Sequence, residues 1–211
     1  MTKKINNKIL VPIDFSKQSL IALEQSYNLA REYNAEILLL HVIDEKGIIA
    51  SLFYSQKQVD DIKKGIRKKL NELVKDIETK KKINADTMIA HGKSYEKIIE
   101  VADMINALMI IMGHNSQDAL KAKFIGSTAL RVVRESIHPV ISVKGKHHRD
   151  GCKNIVLPLD LTKETRDKVH YALEIAKLGV NKAAIRVVSV LPGSDEFIVN
   201  RLTRQMEQVK E

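Results

Sequence analysis

The sequence predicts an α/β fold, a parallel sheet with helices on both faces. Three observations carry this. Short apolar, β-branched runs (KILVPI, EILLLHV, DTMIAH, ALMIIM, PVISV) alternate with stretches whose apolar residues recur every three or four positions. The opening strand-and-loop pattern returns 146 residues later, with proline and aspartate at the same places. Of the 211 residues 44% are hydrophobic but only 4% aromatic, with no Trp, so the core must be aliphatic. This length holds one large domain, or one domain and part of a second.

Lys8–Ile13 reads as a buried strand because it is short, branched and wholly apolar. Ser16 suits the N-cap of a helix reaching to about Asn34, with Leu20, Leu23, Tyr27 and Ala30 on its inner face. Glu36–Val42 is a second strand. A polar loop leads to a long basic helix from about Ser55 to Lys82, with Ile62, Ile66, Leu70, Leu73, Val74 and Ile77 at helical spacing. Asp86–His91 is a third strand. Ser94–Asn106 is a helix with Ile98, Ile99, Val101, Ala102 and Ile105 on one face. Ala107–Met112 is a fourth strand, Ser127–Ser136 a helix carrying Leu130, Val133 and Arg134, and Pro139–Val143 a fifth strand. Such sheets bind ligands beyond the carboxyl ends of their strands, where the strand order reverses, so function is sought in the strand-to-helix loops.

Composition narrows the classes. One Cys excludes a disulfide framework and a Cys-based zinc site within one chain. The longest apolar run, Ala107–Met112, is far short of the roughly 20 residues that span a bilayer. The first ten residues, MTKKINNKIL, have no apolar signal core. The expectation is a soluble, reduced, cytoplasmic protein without a membrane partner. The net charge of +9 is concentrated in Lys63–Lys82, where it reads most simply as the solvated side of the amphipathic helix. No aromatic residue interleaves with that run, which argues against single-stranded nucleic acid and makes nucleic acid an unexpected partner.

The repeat sets the domain organisation. Lys8–Lys17 (KILVPIDFSK) matches Asn154–Lys163 (NIVLPLDLTK), with Pro12, Asp14 and Ser16 opposite Pro158, Asp160 and Thr162. A helical pattern (Val169, Ala172, Leu173, Ala176) and a strand, Ala183–Val190, follow. The expected units are a first domain, residues 1–145, a linker, 146–153, and the opening part of a second copy, 154–211. A charged helical pattern without a cap at the last residues suggests a fragment of a longer tandem protein. His147 and His148 in the linker read as an exposed pair rather than a metal site, and Cys152 as inert.

Three loops carry candidate chemistry. In Pro12-Ile13-Asp14-Phe15-Ser16 the acid either accepts hydrogen bonds from a sugar or base, helps to hold a metal ion, or simply caps the helix. In Met112-Gly113-His114-Asn115-Ser116 the glycine allows a tight turn or a close approach, and His114 either contacts phosphate or faces water. In Phe124-Ile125-Gly126-Ser127-Thr128 a glycine and two hydroxyls open a helix, which is either an anion site or a plain N-cap at Ser127. No Ser/His/Asp, Cys/His or paired-carboxylate constellation appears: His41, His91, His114 and His138 fall on different elements.

The stretches KILVPIDFS, LLLHVID, IIMGH and GSTALRVVRESIHPVISV resemble the universal stress protein family over residues 6–145, and the likeness resumes from about residue 153. The resemblance implies a five-stranded parallel sheet of order 3-2-1-4-5. One branch of the family binds ATP through glycine, two residues, glycine, nine residues and glycine-serine/threonine. On this chain those positions are Gly113, Ser116 and Gly126-Ser127, with serine in place of the middle glycine. The resemblance implies that Asp14 and Val42 contact the nucleoside, that Gly113, Gly126, Ser127 and Thr128 hold the phosphates, with Pro12, His114 and Ser116 in the same loops, and that the ligand is ATP, with or without Mg2+. A side chain at Ser116, if its backbone must be left-handed, costs about 1–2 kcal/mol, roughly tenfold in affinity. The implied role is regulatory, with at most slow ATP hydrolysis. The alternative is a nucleotide-free interaction module that forms a homodimer through the fifth strand, and an adenylyl-transfer or electron-transfer enzyme is the third reading.

Overall fold

A computed structural model describes residues 7–44, 55–114, 127–145, 153–158, 165–177, 183–189, 200 and 203–204. The chain divides into two compact units at His148/Arg149. In the first, β1 (Lys8–Pro12), β2 (Glu36–Ile43), β3 (Ala85–His91), β4 (Met109–Gly113) and β5 (Val140–Val143) form one sheet of order β3-β2-β1-β4-β5. All its pairings are parallel, with Lys8 opposite Glu36, Ile9 opposite Met109 and Ile110 opposite Val140. The order therefore reverses between β1 and β4.

The helices are α1 (Lys17–Glu32), α2 (Gln56–Asp76), α3 (Ser94–Met104) and α4 (Ser127–Glu135). Leu10, Leu38, Leu40, Ile110 and Met112 face α3 and α4, meeting Ile98, Val101, Ala102, Ala129 and Val132. By the two-residue alternation of strands, Ile9, Val11, Ile37, Leu39 and Ile111 point to the other face, where α1 packs on β1, β2, β4 and β5. Unbroken apolar runs follow from this geometry, because both faces of each central strand are covered.

The helix ends have local causes. The Ser16 hydroxyl accepts from the Ser19 amide at 3.2 Å and starts α1. Ser55 and Gln58 form a reciprocal capping box on α2. Asn34 and Asn106 adopt φ of 45° and 46° just past α1 and α3. There the Ala35 and Ala107 amides donate to the Ala30 and Ala102 carbonyls at 2.8 Å, the Schellman closure with asparagine where glycine is commoner. A π-helical turn, Ile77–Lys81, extends α2, and left-handed Lys82 ends it.

The inner face of α4 is Ala129 and Val132; Leu130 and Val133, which the sequence places on this helix, are exposed. Ile62, at helical spacing with the buried residues of α2, is also exposed.

In the second unit β6 (Asn154–Pro158) and β7 (Ala184–Val188) pair in parallel, with α5 (Thr165–Lys177) between them in sequence. Leu157 and Ala172 are its buried pair, flanked by Ile155, Val169, Ile185 and Val187.

Candidate functional site

The carboxyl edge of the first sheet collects the turn after β1, the end of β2 and the end of β4. Parallel pairing dictates this, since every such strand exits on the same side. Pro12 closes β1, Val42 lies one residue from the end of β2, and Gly113 closes β4. Ser127 and Thr128 open α4, on the return path from β4 to its parallel neighbour β5. Ser116 and Gly126 lie outside the described residues, as do Asp160, Thr162, His147, His148 and Cys152.

The β1–α1 turn is strained and closely held. Phe15 has φ of 62°, a left-handed conformation that costs a bulky side chain about 1–2 kcal/mol. Its ring tilts against His41 at 5.2 Å between centroids, and the Lys69 ammonium lies 5.5 Å from its centre. His41 is itself fixed, its Nδ1 2.7 Å from the Ile13 carbonyl. A carbonyl only accepts, so Nδ1 carries the hydrogen. Asp14 is exposed, and its Oδ1 accepts from the Ser16 amide at 2.9 Å. One carboxylate oxygen thus serves the turn, as the capping alternative required, and the group still faces solvent at the sheet edge. The sequence did not single out Phe15; no residue-type signal marks a phenylalanine that is left-handed.

Gly113 has a steric reason. A Cβ there would sit 2.5 Å from the Gln18 backbone carbon and oxygen and 2.7 Å from the Ser19 nitrogen. The first turn of α1 therefore rests directly on the end of β4, which brings the N-terminus of that helix to the β1–β4 switch point. The residue needs no left-handed torsion to be glycine; contact alone demands it.

Two buried polar atoms beside this junction, Gln18 Oε1 and His114 Nε2, have no hydrogen-bond partner among the described residues. The Gln18 amide nitrogen donates to the Gly145 carbonyl at 2.8 Å, and the His114 backbone amide to Val143 at 2.8 Å. His114 is only 7% exposed, so of its two sequence-level alternatives, facing water is excluded. A buried polar atom without a partner is costly and marks a place where another group fits.

The β3–α3 turn, Gly92-Lys93-Ser94, lies on the same edge and was not among the three loops. Gly92 has φ of 135°, and its amide donates to the Ile43 carbonyl at 3.0 Å. The Tyr95 hydroxyl donates to Glu96 at 2.7 Å, and Lys93 reaches the same carboxylate at 3.2 Å. That hydroxyl and ammonium hold the Glu96 carboxyl below its ordinary value, and the same hydrogen bond raises Tyr95. The Arg131 guanidinium stacks 4.5 Å over the Tyr95 ring. His138, placed by the sequence at a helix end, instead follows α4, where its Nε2 meets Asp103 at 3.0 Å. Among the described residues no three His, Cys, Asp or Glu side chains gather as metal ligands. No described helix is long and apolar enough to cross a membrane.

Residues 6–144 match the model of the universal stress protein family. Universal stress protein MJ0577 of Methanocaldococcus jannaschii is 34% identical over 155 residues, covering 66% of this chain and 96% of that protein. The solved structure of MJ0577 aligns with a TM-score of 0.58 over 67% of this chain and 97% of its own. A universal stress protein from Archaeoglobus fulgidus aligns at 20% identity and a TM-score of 0.73 over 98% of this chain and 75% of its own, a likeness of fold. A further likeness of fold, at 18% identity and a TM-score of 0.50 over 65% of this chain and 97% of its own, is to a universal stress protein in complex with cAMP. With its sheet order and with two thirds of its length matched, the chain belongs to the universal stress protein family.

Proposed function

We propose that the first unit is a regulatory nucleotide-binding module that takes ATP or a related nucleotide at the β1–β4 edge. One observation carries this reading: the α1 N-terminus is seated on Gly113, directly beside the exposed Asp14 carboxylate and His114 Nε2, which has no partner among the described residues. The carboxylate acceptor suits a sugar or base, and the helix start at Ser127 and Thr128 suits phosphates. In this reading Pro12, Asp14 and Val42 border the nucleoside. Gly113, His114, Ser116, Gly126, Ser127 and Thr128 border the phosphates. A fold neighbour in complex with cAMP adds weight to a nucleotide of some kind. In this reading binding biases a conformation or an assembly rather than driving turnover. Calorimetric titration with ATP and with cAMP, each with and without magnesium, is expected to give saturable heats that Asp14→Ala weakens. Flat heats at millimolar nucleotide would overturn the reading.

The second reading is a nucleotide-free homodimerisation platform, and a specific surface favours it. β5 is an edge strand, and beside it Leu130, Val133 and Ile137 are exposed, Ile137 at 86%. Edges and apolar stripes of this kind self-associate about a twofold axis. Light scattering is expected to give a dimer that Ile137→Glu dissociates; a monomer at high concentration sinks it.

The second unit is read as the opening of another copy of the same fold. Adding 146 to the bounds of β1 gives those of β6, residues 154–158, and an α-helix and a parallel strand follow in both. The proposed organisation is a domain over residues 1–145, a linker over 146–153 and the partial copy from 154 to 211. Limited proteolysis is expected to cut first within the linker.

A further inference from the structure

The outer face of α2 has no role in the nucleotide reading. Its inner face is spent on the core: Leu70 and Ile77 are fully buried. Outward, Lys64, Arg67, Lys68, Asn71, Glu72 and Lys75 line a shallow groove of about 450 Å3 along one side of the helix. The four cations are exposed, and none of them has an ion-pair or hydrogen-bond partner among the described residues. From residue 56 to residue 82 the chain carries ten Lys and Arg against five Asp and Glu, in a protein of net charge +9 and pI near 9.5. Glu72 stands four residues after Lys68 and three before Lys75, yet it forms no ion pair with either among the described residues. The stripe from Lys64 to Lys75 runs about 16 Å along a single straight helix.

We propose that this face of α2 docks on the phosphate backbone of double-stranded nucleic acid, without base readout. The groove holds no aromatic or aliphatic anchor, which a protein partner would need at the centre of its interface, and lysine is depleted from such interfaces. The residues that line the groove are Lys, Arg, Asn and Glu, so this stripe offers no apolar side chain to insert into a bilayer. The missing aromatics that argue against single strands do not bear on a duplex, where bases are stacked inside and only charge is met. A rigid row of cations meets a duplex carrying one negative charge per roughly 1.7 Å of axis, and released counterions drive association. Glu72, within the row, limits the contact to about four phosphates.

The test is fluorescence anisotropy of a labelled mixed-sequence 24-base-pair DNA duplex titrated with the full chain from 50 to 200 mM salt. Binding is expected to be micromolar at the low end and indifferent to sequence. The plot of log K against log salt should slope at about −3 to −4, which is four phosphates at about −0.9 each. The variant K64E/R67E/K68E/K75E should lose at least a hundredfold in affinity while keeping the wild-type circular dichroism and melting curve. The same charge change placed elsewhere, K17E/R134E/K168E/R204E, should lose far less. No binding at 50 mM salt overturns the proposal, and so does a slope near zero or an equal loss from both quadruple variants. Tighter binding to phosphatidylserine vesicles, to single strands or to polyglutamate than to the duplex also overturns it.

Discussion

The two β–α–β stretches, β1–α1–β2 and β6–α5–β7, are alike in sequence and pairing but not in burial. Leu10 is 0% exposed and Val156, its counterpart 146 residues on, is 63% exposed. Ile9 and Val11 are as fully buried as Leu10, whereas of the three matching residues in β6 only Leu157 is buried. The difference is in the neighbours. β1 lies between β2 and β4 with helices on both faces, and β6 has β7 on one side and α5 on one face. A parallel strand therefore gains its stability from layers contributed by distant sequence, and its own residues only make it eligible for them.

The comparison can be broken most directly by truncating its two reference residues. Leu10→Ala is expected to cost about 3–4 kcal/mol through lost contacts and a cavity, and Val156→Ala less than about 0.5 kcal/mol. Urea unfolding of the two variants checks this, and equal costs would mean that something covers the outer face of β6. Next in size is Gly113→Ala. Its new Cβ would meet backbone, which cannot swing away as a side chain tip does, so about 2 kcal/mol should be lost by the same measurement. Ser16→Ala removes the α1 cap and should cost about 1 kcal/mol.

The smallest effect is a titration. Tyr27 on α1 is pushed up to about 12, first by burial and then by the nearby carboxylates of Glu24 and Asp76. Lys81 lies 5.3 Å from its ring centre. Leu173, at the same offset on α5, is exposed. A raised tyrosine favours the neutral form in the folded state. Its contribution to stability is therefore complete below the unfolded value of 10 and lost as pH rises from there through about 12. Absorbance titration of the tyrosines should show a late-ionising group that Tyr27→Phe removes.

Much of the fold was legible because each local signal had a single outcome. Ser16 and Ser55 stand where helical spacing begins, and short branched apolar runs separate the strands from the 3–4 spacing of the helices. On α4 two stripes, Leu130/Val133 and Ala129/Val132, satisfy the same spacing, and only packing on the sheet chooses between them. At the site, Gly113 was found as a glycine but not for its reason, which is the backbone of Gln18, 95 residues away in sequence. Phe15 gave no signal, since its left-handed torsion is imposed by the turn that Asp14 and His41 hold in place.

By itself the sequence determined the order and kind of the elements, the aliphatic core and the loops worth inspecting, because periodicity and capping act within a few residues. Tertiary structure decided which stripe of α4 faces inward, why residue 113 is glycine and that His114 is buried, its Nε2 without a partner among the described residues. Those outcomes depend on close packing between segments far apart in the chain, where a shift of one ångström separates contact from clash.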